Sequence, residues 1–198
     1  MKAFLTKMTL IFSGILLLSS CSLSADDKDM TQEIYKCIEE QSKQLVGSRF
    51  NIYKEYLVVE SILLEENILS EKNKRGYKES LIMLFNSTKT DQKYVIVYNK
   101  ILDSIGYNDI LGFTGTLAIP FSCSGAYFEK SDLYKSEKYS KYYNTLKKAY
   151  LDFSPDNPNL YYDLIDNIPI NKMEDIIFRA PVISVFIGLI IHNIELES

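Results

Sequence analysis

Apolar residues recur three or four positions apart through most of the chain after residue 30. The widest run lies between Asn51 and Leu69, and its apolar members are Ile52, Tyr53, Tyr56, Leu57, Val59, Leu63, Leu64 and Ile68. This spacing puts them on one face of an α-helix, which must be buried against other elements. Similar stripes predict further helices that begin near Thr31, Tyr77, Val95, Ser131 and Asn157. The pattern predicts a mainly α fold: a single compact bundle of about six or seven helices.

Two segments depart from this pattern. The stretch from Gly106 to Tyr127 holds four of the eight glycines and Pro120, which predicts one long irregular loop with a short extended piece at Thr116 to Ile119. The segment Val182 to Ile194 is almost wholly apolar and follows a predicted break at Arg179-Ala180-Pro181. It is interpreted as a buried final helix, with a buried strand as the alternative. Tyr94 to Tyr98 is open to the same two interpretations.

The first residues have the form of a secretion signal. Lys2 and Lys7 precede the apolar stretch Met8 to Leu18, which is much shorter than the roughly twenty residues of a membrane span. The sequence Leu18-Ser19-Ser20-Cys21 then resembles the lipobox of bacterial lipoproteins. That resemblance implies removal of residues 1–20 and acylation of Cys21, which would tether the mature chain to a membrane.

The predicted lipid anchor implies three segments in the chain and a location in the cell envelope. Residues 1–20 are the signal peptide, residues 21–30 are expected to be an acidic linker, and residues 31–198 are expected to be a single helical domain. Ser22, in place of aspartate, favours the outer membrane under the enterobacterial sorting rule. The acidic run Ala25 to Asp29 resembles a surface-export signal or is simply a solvated linker, so the periplasmic face and the cell surface both stay open.

Composition indicates which partners are unfavourable and how the cysteines are paired. Removing Lys2 and Lys7 with the signal leaves 20 basic and 26 acidic residues, a net charge of −6, which argues against nucleic acid as a partner. Acylation of Cys21 leaves Cys37 and Cys123, and an oxidising envelope predicts a disulfide between them, with two unrelated buried thiols as the alternative.

Three candidate sites compete with simpler explanations. His192, the only histidine, is a possible base for a Cys123 or serine nucleophile, but a disulfide at Cys123 would exclude the thiol version. The Tyr/Lys run from Tyr134 to Tyr150 suits glycans or anionic lipid, or is an amphipathic helix with a solvated face. A weak calcium candidate, which turn and capping chemistry would also explain, comprises Asp152, Ser154, Asp156, Asn159 and Asp163.

No sequence motif indicates a cofactor, since zinc spacing, phosphate-binding glycines and a dinucleotide fingerprint are missing from the sequence. The chain is therefore expected to be a non-catalytic interaction factor, held at the membrane by its lipid anchor and bound to another envelope protein. It would serve as a complex accessory or as an inhibitor or immunity-type factor. The alternative is a small envelope hydrolase or ligand-binding protein that uses the glycine-rich segment around Cys123.

The lipid anchor is directly testable. Cells fed labelled palmitate should incorporate label into the wild-type chain and not into Cys21→Ser, because the acylated sulfur is gone. Cys37→Ser is the matched control and should keep the label. Retention of label by Cys21→Ser, measured after denaturing purification, would refute the lipobox interpretation.

Overall fold

The computed structural model describes residues 25–46, 52–87, 92–105, 117–151 and 157–195. Within these ranges there are eight α-helices, two short 3-10 turns at Leu133–Lys135 and Ile170–Lys172, and no strand. The helices are α1 (Ala25–Val46), α2 (Ile52–Glu65), α3 (Lys74–Asn86), α4 (Gln92–Ile105), α5 (Ile119–Lys130), α6 (Ser140–Leu151), α7 (Pro158–Asn167) and α8 (Ile176–Glu195). The predicted mainly α fold is confirmed.

The chain divides into two units, residues 1–32 and residues 33–198. The described part of the first unit is the beginning of α1. The second unit contains the rest of α1 and the other seven helices, and it is a helical bundle with a continuous apolar core.

Helix α8 lies at the centre of this bundle and packs against α2, α3, α4, α5 and α7. Its apolar residues are spread around the whole helix, which is typical of a helix surrounded by other helices. The span Ile176–Ile194 is also long and apolar enough to cross a membrane by length and composition, with a mean hydropathy of 1.8, but 89% of it is buried inside the fold. That burial is the property of a core helix.

Several sequence-based boundaries were wrong. Helix α1 begins at Ala25, so residues 25–30 of the expected linker are helical; acidic residues are favourable near a helix N-terminus even where apolar periodicity is missing. Residues 119–127 of the expected loop belong to α5, where Pro120 occupies a first-turn position that tolerates proline. The extended piece expected up to Ile119 is likewise not formed in its described part, where Leu117 and Ala118 form a turn. The remainder of that loop, residues 106–116, lies outside the described residues.

The helix alternatives are confirmed for both ambiguous segments. Tyr94 to Tyr98 is part of α4, and Val182 to Ile194 is part of α8. The predicted break at Pro181 was wrong, because α8 continues through this proline. Proline removes one helix hydrogen bond, but the burial of nearly every neighbouring side chain outweighs that loss.

A buried ion pair joins α2 to α8. Glu60 is completely buried, and its carboxylate accepts a bond from Arg179 Nε at 2.6 Å and a second from Nη2 at 3.2 Å. The hydroxyl of Tyr77 on α3 also donates to Glu60, and Lys72 Nζ lies 3.1 Å from its second oxygen. Arg179 donates a further bond to the carbonyl of Met173 at 2.8 Å. The buried charges are therefore both paired and hydrogen-bonded.

The same contacts keep Glu60 ionised. Burial alone would raise the pKa of Glu60, but the hydrogen bonds from Arg179 and Tyr77 and the Arg179 charge outweigh burial, and its pKa is lowered. Burial and the Glu60 charge raise the pKa of Tyr77 well above its usual value, so its hydroxyl keeps the proton that it donates.

We predict that Glu60→Gln lowers the free energy of unfolding by about 3–5 kcal/mol at neutral pH, because Arg179 is left as an unpaired buried charge. Glu79→Gln, at an exposed helix position 3.9 Å from Arg75, should change it by less than about 0.5 kcal/mol. Urea unfolding measures both. Since the folded-state pKa of Glu60 is lowered, its contribution is complete above the unfolded value of about 4.3 and is lost as pH falls through the folded value. Equal stability of the two variants would contradict this role.

Candidate functional site

The predicted disulfide is formed between Cys37 on α1 and Cys123 on α5. The two Cα atoms are 5.7 Å apart, and the bond closes a sequence separation of 86 residues. Cys123 lies on a helix and not on the loop that the sequence suggested. Its sulfur is committed to the bond, so Cys123 carries no thiolate for nucleophilic attack.

The other sequence candidates are not brought together in the described part of the chain. Cys21, Asp152, Ser154 and Asp156 lie outside the described residues, and Asp163 is exposed on α7, where Asn159 also lies. Within the described ranges no three His, Cys, Asp or Glu side chains cluster as metal ligands would. His192 lies in the last turn of α8 and does not line the groove beside Cys123 that follows.

That groove lies between α5 and α6 and has a volume of about 260 Å³. Its α5 side is formed by Phe121, Ser122, Gly125, Ala126 and Glu129, and its α6 side by Tyr143, Leu146, Lys147, Tyr150 and Leu151. Ser122 is also hydrogen-bonded to Gln41 of α1 at 3.1 Å, so the bond and the neighbouring disulfide both hold this side in place.

Gly125 forms part of the groove wall at a position where the fold does not require glycine. It lies in the middle of α5, and a Cβ atom built there meets no neighbouring atom within 4 Å. A glycine inside a helix costs about 1 kcal/mol relative to alanine. Gly76 in α3 is different, because a Cβ there would lie 2.4 Å from the backbone oxygen of Glu71. Close packing therefore explains why residue 76 is a glycine. At Gly125 no neighbouring atom excludes a side chain, and the glycine leaves open space in the groove.

The groove wall exposes large apolar side chains. Leu151 is 72% exposed and Tyr150 is 47% exposed, and the Tyr150 ring stacks on Phe121 across the groove with centroids 6.5 Å apart. Exposed apolar groups that surround a concave site are typical of surfaces that bind a partner.

A polar cluster lies among these apolar groups. Tyr143 donates its hydroxyl hydrogen to Glu129, and Lys147 Nζ lies 3.1 Å from the same carboxylate oxygen and 3.3 Å from the tyrosine oxygen. The bond from Tyr143, followed by Lys147, lowers the pKa of Glu129, and the bond to Glu129 raises the pKa of Lys147. The pair is therefore charged at neutral pH, with the two charges balanced inside the groove.

Known proteins give no further guide to this site. Comparison with protein families, with curated proteins and with solved structures finds no match to this chain.

The groove offers apolar area, one balanced ion pair and a gap at Gly125. Sequence reasoning missed the groove because it treated the α5 side as loop. The positions of Phe121, Ser124 and Phe128, all buried and three or four residues apart, were the helical signal that could have found it.

The two glycines give a matched prediction. Gly125→Ala should raise the free energy of unfolding by up to about 1 kcal/mol, because alanine favours the helix and its methyl group enters open space. Gly76→Ala should lower it by about 1–3 kcal/mol, because the backbone must move to admit the methyl group. Urea unfolding of both variants tests this, and a loss of stability in Gly125→Ala would show that the fold needs this glycine.

Proposed function

We propose that this chain is a lipid-anchored envelope protein that binds another protein through the groove between α5 and α6. It acts as a complex accessory or as an inhibitor or immunity-type factor, and it carries out no catalysis. Acylated Cys21 holds it at a membrane, with the outer membrane favoured by Ser22.

The single observation that carries the binding role is Gly125. A helix-interior glycine with open space at its Cβ position lowers helix stability, and the packing of the fold offers no compensation. Natural proteins keep such losses where function needs them. The space at Gly125 lies in the wall of the groove, where it could admit a partner side chain beside the stacked rings of Phe121 and Tyr150.

The shape of the groove favours a protein over a small molecule. Small-molecule pockets commonly enclose about 300–1,000 Å³ and surround most of the ligand. This groove is smaller, and its wall includes the exposed residues Ala126, Glu129 and Leu151. A short open groove accommodates one or two side chains of a larger partner, which is how buried anchor residues work at protein interfaces. The disulfide at Cys123 also argues against the thiol-hydrolase alternative.

Site-specific photo-crosslinking in the cells that make the protein tests this function. A photoreactive residue at position 151, beside the groove, should capture one protein that mass spectrometry identifies reproducibly. Ile170 is the control position, since it is 88% exposed and does not line the groove. Crosslinking from position 170 should not capture that protein.

Two variants show whether capture depends on the groove. Gly125→Leu should fill the gap and reduce the crosslink at least tenfold, because the partner side chain loses its space. Gly125→Ala adds one methyl group and should reduce it much less. Urea unfolding checks that both variants remain folded. Equal capture by wild type and Gly125→Leu would overturn the proposed function.

A further inference from the structure

We propose that the outer face of α6 lies against an anionic lipid bilayer. This outer face comprises Lys141, Asn144, Lys148 and Leu151, which are exposed and follow one another at intervals of three or four residues, so they project from one side of the helix. The first three of them do not line the groove. The inference goes beyond the proposed function and takes from it only the lipid anchor at Cys21.

The charge of α6 differs from that of the rest of the chain. Its sequence, SKYYNTLKKAYL, contains three lysines and no acidic residue. Each of the other seven helices in the described ranges contains at least one Asp or Glu. The full chain has a net charge of −4. A negatively charged protein approaches an anionic surface most favourably through a local basic region, and α6 supplies one.

Two of these three lysines are not neutralised within the described part of the chain. Lys147 lines the groove, and its Nζ lies 3.1 Å from a carboxylate oxygen of Glu129. Lys141 and Lys148 form no ion pair with a described residue. They are seven residues apart, so their positions are separated by about 10 Å along the helix axis. The outer face therefore carries two positive charges that a single flat surface can contact together.

The exposed face of α1 shows a different arrangement of lysines. Lys36 and Lys43 are also exposed and seven residues apart, but Lys36 lies 4.0 Å from Glu40 and Lys43 lies 2.7 Å from Glu39. Positive charges on that face are balanced by neighbours in the same helix, which is typical of a solvated surface. Because α6 contains no acidic residue, the positive charge of its outer face is available to an external partner.

An exposed apolar residue ends the outer face of α6. Leu151 is 72% exposed and lies three residues after Lys148, and the adjacent Tyr150 is 47% exposed. Such side chains enter the interface of a bilayer, while lysines extend their ammonium groups to the headgroups. A lipid surface therefore satisfies both parts of the outer face. A hydrophilic acidic polymer would neutralise the lysines but leave Leu151 in water.

The lipid anchor explains why so small a surface is sufficient. One lysine beside an anionic bilayer strengthens binding roughly fivefold, so Lys141 and Lys148 together contribute about thirtyfold. That is too little to hold a free protein at a membrane, but an anchored domain meets the bilayer at a high effective concentration. The contact would set the orientation of the domain and place the groove beside the bilayer, where a membrane-bound partner can reach it.

A single tryptophan can report this contact, because the chain contains none. Residues 21–198 with Leu151→Trp are coupled through Cys21 to a maleimide lipid, since the other two cysteines are held in the disulfide. The vesicles contain brominated phosphatidylcholine, either alone or mixed with phosphatidylglycerol. Bromine should quench the tryptophan at least threefold more strongly in the vesicles with phosphatidylglycerol, and added salt should reduce the difference.

Ile96→Trp is the control for position. Ile96 is 49% exposed on α4, which packs against α2 and α8 and not against α6. Its tryptophan should be quenched weakly and to the same extent in both kinds of vesicle, and urea unfolding checks that both variants are folded. Equal quenching at positions 96 and 151, or quenching at 151 that does not depend on phosphatidylglycerol, would overturn the proposal.

A charge-matched pair of variants separates a local effect from net charge. In the Leu151→Trp chain, Lys141→Gln/Lys148→Gln should reduce quenching to the level seen with phosphatidylcholine alone, because the outer face loses its charge. Lys36→Gln/Lys43→Gln removes two exposed lysines with the same spacing on α1 and should leave quenching within about 1.5-fold. Equal losses in the two double variants would contradict the proposal.

The outcomes also distinguish this proposal from the proposed function. Chemical coupling through Cys21 replaces acylation in cells, so a failure of palmitate labelling or of partner capture would refute the proposed function and leave the vesicle result valid. Soluble polyglutamate is the probe for an acidic protein partner. If it shifts the emission of the tryptophan at position 151 while bromine does not quench that tryptophan, the outer face binds acidic protein and the lipid assignment is wrong.

Discussion

The buried bond between Glu60 and Arg179 constrains the whole bundle. Because each charge is removed from water, α2 and α8 must approach with these two side chains opposite each other, and Tyr77 must bring α3 to the same point. A displacement of α8 along its axis would leave a charge buried without a partner. Apolar packing alone tolerates many arrangements of similar volume, whereas this contact selects one. With α8 placed, the outer helices have a fixed surface to pack on.

The groove is a feature of the outer layer built on that centre. Helix α5 is held on α8 by the buried face that includes Phe128, and Gly125 lies half-buried at the edge of that face. Helix α6 packs beside α5, and Gly125, which has no side chain, lines the groove between them. Under the proposed function, stability and binding belong to different layers, so a change in the groove need not disturb the core.

Local information was sufficient for the helical class and for the disulfide, because apolar spacing and cysteine count are properties of the sequence alone. It was insufficient wherever the burial or pairing of a residue depends on another residue that is distant in the sequence. Nothing near Glu60 distinguishes it from the exposed Glu65, since its partner Arg179 is 119 residues away. Pro181 in α8, and Pro120 and Gly125 in α5, are normal signs of a break, yet burial against the bundle keeps residues 119–130 and 176–195 helical. The role of Gly125 as part of the groove wall depends on α6. No local sequence pattern shows that α6 packs beside it.

The disulfide also determines how mechanical load travels through the molecule. Consider a protein held at its N-terminus and pulled by a partner in the groove. Tension along α1 reaches Cys37, crosses the sulfur–sulfur bond and arrives at Cys123, two residues before Gly125. Helices α2, α3 and α4, which lie within the 86-residue separation that the bond spans, are bypassed. In the proposed arrangement, the lipid anchor and the groove are therefore joined by one short covalent path that does not run through α2, α3 or α4.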